Sequence, residues 1–289
     1  MDNSKWKPLE GNANELLRKN KNPMKALASG EIPAIILRNA YPSKLCSQLI
    51  SRFYDRDLVS DLPKPGEPIT GKYDFERVDI GTSLSNIGRD QNHFFTEAEK
   101  TAQLYKTLFK GMENPIHRLY KSITHLSPGK QAVTAYEPDG RHYGAAIFRC
   151  HMPNWGYSPH IDSVRLREGQ KKYAVHRFHT QLGGILLLQA PEDKPTGFDS
   201  IIYRSEWEKN LELEHYDIGG EGIQTEVFYD YVKKNRIESY GVSLAEGDIY
   251  FFNSHYLHEA PFFTGNRPRI VLATFFGYTD DDPEIFVWS

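Results

Sequence analysis

The hydrophobic positions of this chain change rhythm near residue 130. Before that point they recur at helical spacing. Leu45, Leu49 and Phe53 stand at i, i+4 and i+8 behind Ser43, which predicts a helix over 43–54 with Ser43 as its N-cap. Thr96, Glu97, Ala98 and Glu99 have the form of a capping box, and Ala102, Tyr105, Leu108 and Phe109 carry a helical stripe onward until Gly111 and Pro115 interrupt it. Pro115 suits the first turn of a further helix that ends at Leu126, before Ser127, Pro128 and Gly129. Between the first two helices, 55–91 is rich in Pro, Gly and Asp and reads as an irregular loop.

After Gly129 the segments become short, β-branched or aromatic, and are separated by turn residues. Strands are predicted over 132–136, 144–152, 181–189, 200–204, 241–244, 248–253 and 269–277. In the last of these, Arg269, Val271, Ala273 and Phe275 point one way, and Ile270, Leu272, Thr274 and Phe276 the other. So many short strands suit an antiparallel barrel or sandwich. The expected fold class is mainly β with flanking α-helices, in one domain: a helix-rich part over 1–130 packs on a β core over 131–289.

Composition supports a folded chain: of 289 residues 39% are hydrophobic and 25% charged, with 17 Tyr and 16 Phe enlarging the apolar surface. Lys and Arg number 35 against 38 Asp and Glu, interspersed, so neither a nucleic-acid footprint nor an acidic tail is present. Cys46 and Cys150 lack the C-x-x-C spacing of a zinc site. The polar start Met1-Asp2-Asn3-Ser4-Lys5 lacks a signal-peptide core, and the longest apolar run, 183–188, is far short of the roughly 20 residues that span a bilayer. These features predict a soluble cytoplasmic protein without a membrane or nucleic-acid partner. They do not set its oligomeric state.

The candidate chemistry lies in two segments. In Trp155-Gly156-Tyr157-Ser158-Pro159-His160-Ile161-Asp162, residues His160 and Asp162 are two apart, so an extended backbone turns both toward one ion. Such a pair arises by chance about once in a chain of this composition, and His215 and Asp217 form another inside a polar stretch that reads as a solvated loop. The first pair gains weight from the second segment, in which Glu246-Gly247 feeds an apolar strand ending at His255 or His258, and a loop then leads to Arg269. Two His and one carboxylate fill one face of an octahedral Fe(II) and leave three positions for a chelating co-substrate and O2. An Arg on a neighbouring inward strand can grip the far carboxylate of 2-oxoglutarate through a two-pronged, charge-assisted contact. Arg269 belongs to the Val271 and Ala273 face of its strand and is favoured for this role over Arg267, which sits in the turn beside Pro268.

With these residues the chain resembles the Fe(II)/2-oxoglutarate-dependent dioxygenase superfamily, whose core is a double-stranded β-helix, or jelly roll. The motif-bearing likeness covers 146–276. A narrower likeness is to the freestanding aliphatic halogenases and hydroxylases that act on alkaloids or amino acids, through Gln181-Leu182, Leu186-Leu187-Leu188, 200–207 and Phe286-Val287-Trp288-Ser289. The resemblance implies His160, Asp162 and His258 as catalytic metal ligands, because the family pattern sets Leu-His directly before the turn, as at Leu257-His258. His255 is then expected behind the metal or facing substrate. In the halogenases a small residue replaces the carboxylate so that chloride can bind the iron; Asp162 is kept here, which points to oxygenation. A Ser or Thr often stands two residues after the anchoring Arg, but Val271 occupies that place, so a Tyr or Thr from another strand must assist.

The expected cofactors are Fe(II) and 2-oxoglutarate. The expected partners are O2 and a small metabolite of specialised metabolism, such as an amino acid or an alkaloid, that is hydroxylated at an unactivated C–H. Desaturation or oxidative cyclisation uses the same residues. A non-catalytic jelly-roll binding protein, or a cupin-type enzyme that needs no 2-oxoglutarate, are the readings from other classes. Arg149, if its side chain points inward, requires a carboxylate partner such as 2-oxoglutarate or an acidic substrate. Cys150 and His151, which follow it, read as core and surface. His176 and His179 around Arg177 read as a solvated junction, and Trp155, Tyr157 and Phe263 are candidates for a substrate wall.

Overall fold

A computed structural model describes residues 6–62, 76–206 and 225–289. The His215 and Asp217 pair and its loop lie outside the described residues. The first half supplies the strands β1 (Leu9–Gly11), β2 (Ala34–Leu37) and β3 (Arg77–Ile80), together with α1 (Ala13–Lys19), α2 (Pro23–Ala28), α3 (Ser43–Asp55), α4 (Leu84–Ile87), α5 (Gln91–Leu108) and α6 (Pro115–His125). The second half supplies β4 (Gln131–Thr134), β5 (Ile147–His151), β6 (Tyr157–His160), β7 (Thr180–Gln189), β8 (Ser200–Glu206), α7 (Thr225–Asn235), β9 (Ser239–Val242), β10 (Ile249–Asn253), β11 (Tyr256–Ala260), β12 (Arg269–Tyr278) and β13 (Glu284–Trp288).

The strands form two facing sheets of a jelly roll. Among the described residues the larger sheet runs β1-β2-β10-β7-β12-β13-β4, with β5 also pairing β12 at its start and β3 pairing β5. The smaller sheet runs β6-β11-β8-β9. The alternation along β12 sorts the two sides of the larger sheet. Ile270, Leu272 and Phe276 join the core beneath α3, α5 and α6, whereas Val271 packs with Leu187, Ile202, Tyr250 and Phe252 between the sheets. On α6, Ile116, Leu119 and Ile123 recur at helical spacing and are at most 4% exposed. Burying each such side chain contributes about 1.5–3 kcal/mol, which clamps the helices to the outer face. None of the helices among the described residues is long and apolar enough to cross a membrane.

The structure corrects several local expectations. The N-terminal half contributes three strands to the larger sheet as well as helices; β2, whose four residues are all buried, lies between β1 and β10. The stretch 55–91 contains β3 and α4, so it is irregular only in part. Ser43 is the first helical residue and Pro42 takes the cap position, without a side-chain bond. Thr96 lies inside α5, whose cap is Asp90; its carboxylate accepts from the Asn92 and His93 amides at 3.0 and 3.1 Å. His255 is not the end of a strand either: β10 stops at Asn253, the chain turns at Ser254 and His255, and His258 sits within the separate strand β11.

Candidate metal centre and its cavity

Strands β6 and β11 set the central pair. Their antiparallel register places His160 directly opposite His258, with ring centroids 4.4 Å apart. Each imidazole is oriented by a backbone carbonyl two residues earlier: His160 Nδ1 lies 2.7 Å from the Ser158 carbonyl and His258 Nδ1 2.9 Å from that of Tyr256. A carbonyl can only accept, so both rings carry their proton on Nδ1 and present a bare Nε2. The bare nitrogens converge on one carboxylate, with Asp162 Oδ2 3.7 Å from His160 Nε2 and 3.4 Å from His258 Nε2.

Asp162 lies just beyond β6 and is fastened through its backbone. Its amide donates to the Ser254 carbonyl at 2.9 Å, while the Ser254 hydroxyl donates to the Asp162 carbonyl at 2.9 Å. The tight β10–β11 turn therefore fixes the carboxylate as well as the strand that bears His258. One ligand atom from each of His160, Asp162 and His258 fits within 4.8 Å of the others, a spacing suited to a shared metal ion. Without a metal the same Nε2 atoms take a proton and donate to Asp162: burial alone would raise the carboxyl, but these bonds and the imidazolium charge hold it well below its usual range. In that metal-free state burial, then the charge of a protonated His160, keeps His258 below its ordinary value despite Asp162.

Around this cluster the two sheets enclose a cavity. Its wall is largely apolar, formed by Ile147, Ile185, Phe252, Val271, Ala273 and Phe275. Phe252 packs on His258 with centroids 4.7 Å apart, and Gly183 makes room for it: a Cβ at that glycine would meet the Phe252 ring at 2.4 Å. Into the same cavity project Arg149, His151 and Tyr157 from one side and Arg269 from β12.

The sequence-predicted residues divide as follows. Arg269 is buried and lines the cavity; its Nε has no hydrogen-bond partner and lies 3.9 Å from Asp199 Oδ1. Arg267 is exposed and bonds Glu246 at 2.6 Å, so it stands away from the site. Arg149 points inward, and its Nε is likewise buried without a partner. Tyr157 lines the cavity, whereas Trp155 and Phe263 border a smaller adjoining pocket with His151, Tyr157 and Arg269. His255 is half-buried and is absent from the wall of either. Among His176, Arg177 and His179, none lines the cavity; Arg177 pairs with Asp282 at 2.8 Å.

His151 is the residue the sequence reading placed wrongly. It is 7% exposed, lies directly across from Arg269 in the β5–β12 register, and lines the cavity. Burial, then the charges of Arg269, Arg149 and Arg77, hold its pKa well below the ordinary imidazole value, so it is neutral. The signal was present in the alternation of β5, where Ile147, Arg149 and His151 share one face and Phe148 and Cys150 the other. His151 therefore follows Arg149 into the cavity instead of facing solvent.

In comparisons with known proteins, an N-substituted L-amino acid dioxygenase from Burkholderia ambifaria AMMD aligns with a TM-score of 0.56 at 16% identity, covering 92% of this chain and 90% of that one. The same dioxygenase in complex with α-ketoglutarate aligns with a TM-score of 0.54 at 17% identity, over 92% and 90% of the two chains. At these identities the likeness shows the fold alone. Curated protein sequences give no match. The sequence does match the family of the carrier-protein-independent halogenase WelO5 over residues 9–289. With nearly its whole length matched, the chain belongs to that family and is an Fe(II)- and 2-oxoglutarate-dependent enzyme.

Proposed function

We propose that this enzyme hydroxylates an unactivated C–H bond of a small metabolite, with His160, Asp162 and His258 holding the iron and Arg269 holding the distal carboxylate of 2-oxoglutarate. The observation that carries the reading is the retained carboxylate: two imidazoles, each with a bare Nε2, converge on Asp162 rather than on an open place. Two His and one carboxylate suit non-heme Fe(II). The 2-oxoglutarate fit rests on Arg269, a buried guanidinium whose Nε has no acceptor. Leaving such donors unmet is costly, and a carboxylate meets them with two parallel bonds.

When bound, iron and 2-oxoglutarate supply the oxidising power, O2 being consumed as the co-substrate loses CO2 and becomes succinate. The protein's own residues do the rest. Asp162 places a negative charge at the metal in the position that a halide would need. Arg269 fixes the far end of the co-substrate, and His151, neutral and directly opposite, can donate a hydrogen bond to the same carboxylate where Val271 leaves no hydroxyl. Phe252 and Gly183 hold the His258 ring in place, and the apolar wall excludes water from the target carbon.

The reading is tested by succinate release from Fe(II) and 2-oxoglutarate across a metabolite panel, with product masses recorded. Iron-dependent succinate formation coupled to addition of one oxygen atom is the expected result. A protein that binds metabolites but forms no succinate under any condition would instead be a non-catalytic jelly roll.

A further inference from the structure

Given that reading, the cavity holds one cation more than iron and 2-oxoglutarate use. Arg149 and Arg269 leave adjacent strands of the larger sheet on the same face: Arg149 is opposite Val271 and Arg269 opposite His151, so the two are diagonal neighbours about 7 Å apart at the backbone. Both line the cavity that contains the metal cluster. Arg269 has Asp199 nearby at 3.9 Å. Arg149 forms no ion pair among the described residues, and its Nε is buried without an acceptor.

The carboxylates around Arg149 are already engaged. Asp79 lies directly across from it in the β3–β5 register, yet accepts from Arg77 Nε at 2.9 Å and from Asn86 Nδ2 at 3.3 Å. Glu259, at the opposite wall, accepts the hydroxyls of Tyr203 and Tyr229. Asp162 faces the two imidazoles, with Arg167 3.8 Å from its other oxygen. Bound 2-oxoglutarate would bring two carboxylates, but one is spent on the metal as part of the chelate and the other on Arg269. The two positive charges of Fe(II) are thereby met by Asp162 and the chelating carboxylate. Arg149, half-buried with its Nε buried and unmet, still has no carboxylate partner among the described residues, so its fork is free for an anion that enters the cavity.

We infer that Arg149 receives an anionic group of the primary substrate, so that the substrate is an apolar carboxylic acid whose carboxylate is held at Arg149 while its hydrocarbon part lies along Ile147, Ile185, Val271 and Ala273. The mainly apolar wall and the free fork of Arg149 define the class together: one carboxylate on a mainly hydrocarbon body. A bidentate grip at β5 fixes one end of the molecule, and the distance from that end to the metal then selects the carbon that is oxidised.

The test uses the full-length protein loaded with Mn(II) and saturating 2-oxoglutarate, titrated calorimetrically with matched pairs: 4-phenylbutanoate and 4-phenylbutanamide, N-acetyl-L-phenylalanine and its amide, octanoate and octylamine. The acids should bind and their neutral or cationic partners should not. Arg149→Gln should weaken acid binding at least about thirtyfold, Arg149→Lys should recover part of it, and 2-oxoglutarate affinity and melting temperature should stay near wild type. Binding of the amides or amine in preference to the acids, or of no acid at all, overturns the inference. So does an Arg149→Gln variant in which 2-oxoglutarate affinity falls and acid binding is kept, which would make Arg149 a second co-substrate anchor. Failure of Mn(II) or 2-oxoglutarate to bind the wild type would instead overturn the metal and co-substrate reading on which the inference rests.

Discussion

His160 and His258 stand directly opposite one another on β6 and β11, and both turn their Nε2 atoms to Asp162. If the three hold the metal as proposed, replacing any of them by Ala leaves two groups that cannot close the site. His160→Ala, Asp162→Ala and His258→Ala should each abolish Fe(II)-dependent turnover and weaken Mn(II) binding, measured by calorimetry. His215→Ala and Asp217→Ala should leave both nearly intact. An inactive His215 variant beside an active His160 variant would reverse the assignment.

Arg269 and Arg267 separate the co-substrate role from a surface contact. Arg269→Lys keeps the charge but loses the fork, so the apparent KM for 2-oxoglutarate should rise roughly tenfold or more, with far less effect on the primary substrate. Arg267→Lys alters only an exposed pair with Glu246 and should change neither. The opposite pattern would identify Arg267 as the anchor.

Gly183 is a structural test of the same site. Its missing Cβ admits the Phe252 ring that packs on His258. Gly183→Ala should cost about 1–3 kcal/mol of stability through overpacking and should also weaken Mn(II) binding as Phe252 is pushed toward His258. Thermal melting and metal titration are the two readouts; unchanged metal affinity would show that Phe252 yields in another direction.

The buried thiols offer a probe of folding. Burial pushes both Cys46 and Cys150 up to about 12, so neither forms thiolate near neutrality. Iodoacetamide should leave the folded protein unmodified and alkylate both cysteines in denaturant. Rapid labelling of the native chain would contradict the core described here.

His151 predicts a pH effect. Its folded pKa is depressed, so the stability it contributes is full above the unfolded imidazole value near 6.5 and is lost as pH falls below that value. His151→Gln should flatten the stability profile between about pH 6.5 and 5, measured by denaturant unfolding of the metal-free protein. An unchanged slope would mean that His151 titrates normally.

The sequence made much of this site legible because its chemistry is local. His160 and Asp162 are two residues apart on extended chain, and the face of β12 that carries Arg269 follows from alternation alone. The strands that present the two imidazoles were not legible. β6 contains Pro159, and β11 is short and interrupted by polar residues, so both become strands only by pairing with each other and, for β11, with β8. The cap of α5 lies elsewhere for a similar reason: Thr96 and Glu99 fit a local rule, but the helix continues nearly two turns further back to Asp90. His151 needed the tertiary fold, because alternation separates two faces without saying which one meets water.

With Asp162 as an iron ligand, as proposed, the enzyme oxygenates its substrate rather than halogenating it. A carboxylate in that position blocks halide both sterically and by charge. Asp162→Gly opens the position, yet its surroundings remain shaped for a carboxylate, so halide binding without efficient halogen transfer is expected there. The direct measurement is mass spectrometry of wild-type reactions run under 18O2 in excess chloride. The account predicts a product carrying one 18O atom and no chlorine, formed with one equivalent of succinate; a chlorinated product from the unmodified enzyme would contradict it.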